Sequence, residues 1–176
     1  MSRKDNNQAL LSEMIRVDHA GEYGALRIYQ GQLDALGHDH PIAPTLQHMY
    51  DQEKHHLETF EKLVVEKQVR PTLLSPLWHV AGYCLGYATA KLGSRAAMAC
   101  TVAVETVIDQ HYAEQEKILE HIDPELKEIV SVFRQEEIDH KNIGIEHEAE
   151  QSPCYPILSN AIKTASKLAI WLSKRI

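Results

Sequence analysis

Residues 42–63 read IAPTLQHMYDQEKHHLETFEKL, and this stretch decides the fold. Taken at alternating steps of four and three, it gives Ile42, Leu46, Met49, Glu53, His56, Phe60 and Leu63, the spacing of one face of an amphipathic helix. An acid and an imidazole interrupt an otherwise apolar seam. Residues 126–144, LKEIVSVFRQEEIDHKNIG, repeat the arrangement with Leu126, Val130, Phe133, Glu137, His140 and Gly144. In both, Glu and His stand three apart, which on a helix puts them on one face within reach of a common centre. His55 is adjacent to His56 and points about 100° away, so only His56 shares the face of Glu53.

Each seam is preceded by another. The first of these gives Leu11, Ile15, Asp18, Glu22, Ala25 and Tyr29, and the second Met98, Thr101, Glu105, Ile108, Tyr112, Gln115 and Leu119. Both carry a central Glu. Glu105 follows nine uncharged residues, Ala96 to Val104, which puts it on a deeply buried segment, whereas Glu116 falls off the seam and is expected to be exposed. Glu22 precedes Glu53 by 31 residues and Glu105 precedes Glu137 by 32. The chain is therefore laid out as two helical hairpins bearing the same set of polar groups.

The loop His38-Asp39-His40-Pro41, the prolines Pro71 and Pro76, Gly93-Ser94, Asp123-Pro124, and Ser152-Pro153 with Pro156 punctuate the chain. Asp123 before Pro124 reads as an N-cap followed by proline at the first helical position, and Gly93-Ser94 as a C-terminal glycine followed by a new N-cap. Six helices are predicted, over 7–37, 42–68, 76–92, 95–121, 124–150 and 156–173. A chain of 176 residues is expected to form a single domain, 1–176. Its expected class is all-α, a four-helix bundle of two hairpins (about 7–68 and 95–150) with an additional apolar helix and an amphipathic C-terminal one.

Hydrophobic residues at 44% and charged residues at 24% fit a soluble globular protein and exclude disorder and a polytopic membrane protein. Two Phe, two Trp, eight Gly and seven Pro argue against a sandwich of many short strands. A net charge of −7 without a long basic run leaves nucleic-acid binding without its electrostatic footprint. Cys84, Cys100 and Cys154 are odd in number and form no Cys-x-x-Cys pair, which suits a reducing compartment better than a disulfide framework or a thiolate zinc site. The start, MSRKDNNQALLSE, has no apolar run of signal-peptide length and carries acids too early for a typical transit peptide. An unexported or already processed chain is expected.

Four inward carboxylates and two inward imidazoles cannot share a core as free ionised groups, because like charges repel and each desolvated charge costs several kcal/mol. Protonation or metal must relieve them. One Glu-x-x-His in a helix rich in Glu and His is by itself an ordinary solvated face. Two copies on core seams, with two further seam acids at matching offsets, are not, and plain helical bundles hold Leu at such positions. A Glu from each of two helices plus a Glu-x-x-His from each of two others is the ligand set of dinuclear iron and manganese carboxylate bundles. Oxygen and nitrogen donors without thiolate suit two divalent ions.

The segments VDHAGEYGALRIYQGQL (Val17 to Leu33), DQEKHHLETF (Asp51 to Phe60), AAMACTVAVE (Ala96 to Glu105) and EEIDHKNIGIEHEAE (Glu136 to Glu150) resemble the demethoxyubiquinone hydroxylase family, ferritin-like di-iron monooxygenases of ubiquinone biosynthesis. The resemblance runs from about Asn6 to the C-terminus, and its first and last segments are the specific ones. Carried over by position, Glu22, Glu53, His56, Glu105, Glu137 and His140 match the family's iron ligands, the six that the seams select. One departure is Leu26, where the family's first motif has a polar Asn. The resemblance implies two iron ions (Fe2+) per chain, with O2 as co-substrate and one oxygen atom placed on the ring of demethoxyubiquinol. Glu53 and Glu137 are then the candidates to bridge the irons, and Glu22 and Glu105 to ligate terminally. No Gly-x-Gly-x-x-Gly or Cys-rich segment offers a flavin, nicotinamide or iron–sulfur site, so electrons must come from a partner, from NADH without a Rossmann site, or through the quinone. The alternatives are a ferritin-like iron-oxidising or peroxide-scavenging protein with the same ligands, and a non-enzymatic scaffold with protonated seam acids.

Around the six, Asp18 and Asp109 are each four residues from a seam Glu and are read either as orienting groups or as solvated face residues. Tyr23 and His111 also lie near ligands, His147 returns to its seam seven residues beyond His140, and Tyr112 is read as packing. His19, His38, His40, His48, His55 and His121 are expected in solvent, and Glu146 to Glu150 on an exposed face. Residues 71–90, PTLLSPLWHVAGYCLGYATA, hold no acid, Lys or Arg. Two prolines and the polar residues His79, Tyr83, Tyr87 and Thr89 argue against a membrane span. Gly82-x-x-x-Gly86 permits close helix packing, and Ile162 to Ile176 has the composition of a surface-binding amphipathic helix. A polyprenyl demethoxyquinol stays in a bilayer, so peripheral attachment to a membrane surface through 71–92 and the C-terminal helix is expected. The expected place is the cytoplasmic face of a bacterial inner membrane, or the matrix face of the mitochondrial inner membrane if the chain is processed, with an electron donor or other ubiquinone-biosynthesis proteins as partners.

Overall fold

A computed structural model describes residues 3–176. Met1 and Ser2, which belong to the 1–176 span and to the leader reading above, lie outside the described residues. The described chain is all-α: α1 (Arg3–Leu36), α2 (Ala43–Glu66), α3 (Ser75–Lys91), α4 (Ser94–Ile122), α5 (Pro124–Glu146), a 3-10 turn at Ala149–Gln151, and α6 (Tyr155–Ser173). It divides into two compact units, one running to Lys91 and including Leu168–Ile176, the other Leu92–Lys167.

In the first unit α1 packs along α2 and along α3. Every position of the 42–63 seam is buried, as are Ile15, Asp18, Glu22, Ala25 and Tyr29 of α1. The Tyr29 hydroxyl donates to Met49 Sδ at 3.8 Å, tying α1 to α2. The α3 contact depends on missing side chains, since a Cβ on Gly86 would collide with the Ile28 carbonyl oxygen and one on Gly82 would stand 2.8 Å from that of Gly24. Backbones can approach this closely only where no side chain intervenes. Trp78 Nε1 donates to Ser173 Oγ at 3.1 Å, which fastens the end of α6 to α3.

In the second unit α4 and α5 form an antiparallel hairpin. All nine residues from Ala96 to Val104 are buried, and so is every position of the 126–144 seam. Asp123 caps α5 by accepting from the Leu126 amide at 3.1 Å, with Pro124 opening the helix. Two expectations fail here. The N-cap of α4 is Gly93, not Ser94, because the Gly93 carbonyl already accepts from the Ala96 and Ala97 amides. The fifth helix ends at Glu146, not 150, because Glu148 turns into the left-handed region (φ 61°). Arg95 Nε holds that Glu148 carboxylate at 3.0 Å, and of Glu146 to Glu150 only Ala149 is buried, the other four being exposed as expected.

Candidate metal centre

The first unit brings together Glu22 from α1 and Glu53 and His56 from α2. His56 Nδ1 lies 3.4 Å from Glu22 Oε2 and 3.9 Å from Glu53 Oε2. The second unit brings together Glu105 from α4 and Glu137 and His140 from α5, with His140 Nδ1 3.3 Å from Glu137 Oε2. In each triad the three side chains offer ligand atoms within 4.8 Å of one another, and all six residues are between 0 and 2% exposed. Metal–donor bonds of about 2.1 Å put neighbouring donors about 3 to 4 Å apart, so each triad has the span and the donor chemistry to hold a divalent ion. His55, beside His56, is exposed, as the helical phase requires.

Local sequence explains the placement. The Glu-x-x-His pairs stand on the buried faces of α2 and α5 because Leu46, Met49 and Phe60 on one side, and Leu126, Val130 and Phe133 on the other, drive those faces inward. Burying two carboxylates beside an imidazole takes like charges out of water at a cost, and a divalent cation is a group that could offset it with these donors.

The neighbours sort themselves. Asp18 is buried one turn before Glu22, not on a solvated face. Tyr23 Oη is hydrogen-bonded to His79 Nδ1 at 2.6 Å. His111 bonds Gln115 at 2.9 Å, and Tyr112 is buried against it as packing. His147 leaves the seam, because α5 ends there, and its Nδ1 contacts the Ile143 carbonyl at 2.9 Å in an exposed position. His38, His48 and His121 are exposed. His19 is not: burial pushes its imidazole below the ordinary 6.5 despite the opposing charges of Glu61 and Glu22, and its Nδ1 has no hydrogen-bond partner. His40 is half-buried and accepts from the Ile42 amide at 3.3 Å.

Glu116 is also shielded, because Arg134 Nη1 donates to it at 2.8 Å. Arg134 and Lys141 both reach Asp109, a connection the seam reading missed. The signal was present, since Asp109 and Glu116 on α4 and Arg134 and Lys141 on α5 are each seven residues apart.

Residues 9–173 match the family described as ubiquinone biosynthesis protein COQ7. The 3-demethoxyubiquinol 3-hydroxylase of Rhodospirillum rubrum is 52% identical over 168 residues, covering 96% of this chain and 79% of the relative. The mitochondrial NADPH-dependent 3-demethoxyubiquinone 3-hydroxylase of Homo sapiens is 47% identical over 180 residues, covering 100% of this chain and 82% of the relative. The mitochondrial 5-demethoxyubiquinone hydroxylase of Saccharomyces cerevisiae is 41% identical over 188 residues, with coverages of 98% and 81%.

Proposed function

This chain belongs to the ubiquinone biosynthesis protein COQ7 family, and from that premise we propose that it is a demethoxyubiquinol hydroxylase working with O2 and two iron ions. The observation that carries the metal reading is the pair of buried Glu, Glu, His triads, each with its donors within 4.8 Å. Glu22, Glu53 and His56 supply one set of ligands and Glu105, Glu137 and His140 the other. Glu53 and Glu137 are the candidates to be shared. On this reading residues 1–176 work as one ferritin-like domain, since neither triad alone supplies the ligands of two irons.

When bound, ferrous iron supplies electrons and open coordination positions for the reduction of O2. The protein supplies the rest. The carboxylates of Glu22, Glu53, Glu105 and Glu137 would balance the charge of the ions, the imidazoles of His56 and His140 would add nitrogen donors, and the apolar seams around them would keep bulk water from the site. One oxygen atom enters the ring C–H as a hydroxyl and the other leaves as water, which requires two electrons and two protons beyond the substrate. Several relatives carry NADPH-dependence in their names, and NADPH is the donor proposed here, bound without a Rossmann motif.

The substrate's polyprenyl tail places the reaction at a membrane surface. No helix among the described residues is long and apolar enough to cross a membrane. Instead, the first unit exposes an apolar row, Leu77 at 52%, Val80 at 58% and Trp171 at 51%, and Arg175 stacks on the Trp171 ring at 4.0 Å. Exposed aliphatic and indole side chains with cations at the edge are the composition of an interfacial anchor. Peripheral attachment through α3 and the end of α6 follows, on the cytoplasmic face of a bacterial inner membrane or on the matrix face of a mitochondrial one. Alkaline carbonate should release the protein from membranes; retention after that wash would mean a span.

The deciding assay supplies isotopically labelled O2, iron(II), NADPH and a demethoxyquinone. One labelled oxygen in the quinone product is expected. Iron oxidation with O2 consumption but no labelled product would favour the iron-oxidising alternative.

A further inference from the structure

The four-residue ion network in the second unit lies beside the metal triad, and its geometry is specific. Asp109 stands one turn beyond Glu105 on α4. Its Oδ1 accepts from Arg134 Nε at 2.9 Å and its Oδ2 from Lys141 Nζ at 3.0 Å. Arg134 lies three residues before Glu137 and Lys141 one residue after His140, so these two cations bracket the Glu-x-x-His pair. They are seven residues apart, about 10.5 Å of helix, yet both converge on one carboxylate. That is possible only if Asp109 stands midway between them, level with Glu137 and the residue after it. Since α4 and α5 are antiparallel, Glu105, one turn back along α4, then stands level with Lys141 and the residue after it, immediately beyond His140.

A second contact agrees with this register. Gly144, four residues past His140, packs so closely on α4 that a Cβ there would stand 2.6 Å from Val102 Cγ2, three residues before Glu105. The Gly144 contact and the Asp109 bridge therefore hold α4 against α5 on either side of the level of Glu105. A hairpin slipped by one turn leaves Asp109 with one cation in place of two. The network is shielded, its side chains 19 to 32% exposed, so solvent and salt weaken it less than an open surface pair. Burial opposes the charged form of Asp109, but the hydrogen bonds from Lys141 and Arg134 outweigh it and keep the carboxyl below its ordinary range.

We propose that Asp109 is a positioning residue: through Arg134 and Lys141 it fixes the axial register of α4 on α5, and so holds Glu105 where it ligates metal together with Glu137 and His140. This rests on the metal reading above. The test is a titration of the full chain, freed of metal by chelation, with cobalt(II), read by its ligand-field absorption and alongside thermal unfolding. Asp109→Asn is compared with Glu116→Gln, which breaks the Arg134–Glu116 bridge of the same network away from the ligands. Loss of a group that orients ligands typically costs about 10- to 100-fold in metal affinity. Asp109→Asn is expected to weaken cobalt binding at least tenfold and to alter the absorption spectrum. Glu116→Gln is expected to lower the unfolding temperature comparably while leaving both unchanged. Wild-type affinity and spectrum in Asp109→Asn, or an equal loss of affinity in Glu116→Gln, would overturn the proposal. Failure of the wild-type chain to take up cobalt, or unchanged binding in Glu105→Ala, would instead sink the ligand assignment and this inference with it.

Discussion

Replacing Glu105 by Gln keeps the side-chain volume and removes one anionic ligand, and the expected consequence has opposite signs with and without iron. Glu105 is 1% exposed, and its carboxylate and that of Glu137 offer oxygens within 4.8 Å of each other. Two unit charges at that separation repel by about 3 kcal/mol at an effective dielectric near 20. Protonation relieves part of this, which leaves a gain on the order of 1 to 3 kcal/mol for the metal-free variant. A chain of this size shifts its unfolding temperature by about 2 to 4 °C per kcal/mol, so metal-free Glu105→Gln should unfold at a higher temperature than metal-free wild type. With free iron(II) at about 100 times the dissociation constant, wild type is stabilised by about 2.7 kcal/mol. If the lost ligand weakens binding about 100-fold, the same iron adds only about 0.4 kcal/mol to the variant. The iron-induced rise should then shrink by about 5 to 9 °C. Scanning calorimetry with chelator and with anaerobic iron(II), together with iron per chain and product formation, reads all of this. The control is the exposed Glu114→Gln, since Glu116 is held by Arg134. Wild-type iron content and an undiminished iron-induced rise in Glu105→Gln would refute the ligand assignment. A metal-free variant that unfolds at a lower temperature would refute the electrostatic argument.

His56→Ala should lose iron and His55→Ala should not, measured as iron per chain; equal losses would mean that the helical phase of α2 is misread. Gly86→Leu must push α3 off the Ile28 carbonyl, and overpacking of this kind costs about 1 to 3 kcal/mol or more; a denaturant midpoint equal to wild type would contradict the close α1–α3 approach. Burial lowers the folded pKa of His19 below the unfolded 6.5, so as pH falls the unfolded chain takes up the proton first and stability is lost below that value. His19→Gln should flatten the decline in unfolding temperature between about pH 7 and 5, and an unchanged slope would remove His19 from the account.

What was legible in the sequence is what one helix can express without its neighbour. The seam of α2 is buried at every position from Ile42 to Leu63 because a 3.6-residue period needs only an apolar partner, of whatever identity. The six acids and imidazoles stood out for the same reason: a buried set of like charges is costly in any packing, so its chemistry can be named before its geometry is known. Pairwise properties were hidden. Gly82-x-x-x-Gly86 announced a close approach, but only the structure shows that the Gly24 and Ile28 carbonyls are what approaches. The sequence pattern carries α5 four residues too far because Glu148 takes its left-handed turn beside Arg95, 53 residues away. The α4 pattern alone puts Glu116 in solvent, since nothing on that helix reveals that Arg134 covers it. The ion network falls between the two cases. Its acids and bases share a spacing of seven on two helices expected to be antiparallel, a complementarity neither helix displays alone. The candidate donors are therefore a property of single seams, while the level at which Glu105 stands beside the Glu137–His140 pair is a property of the two helices together. Only substitutions that disturb the pair without touching a seam residue, such as Asp109→Asn, can separate the two experimentally.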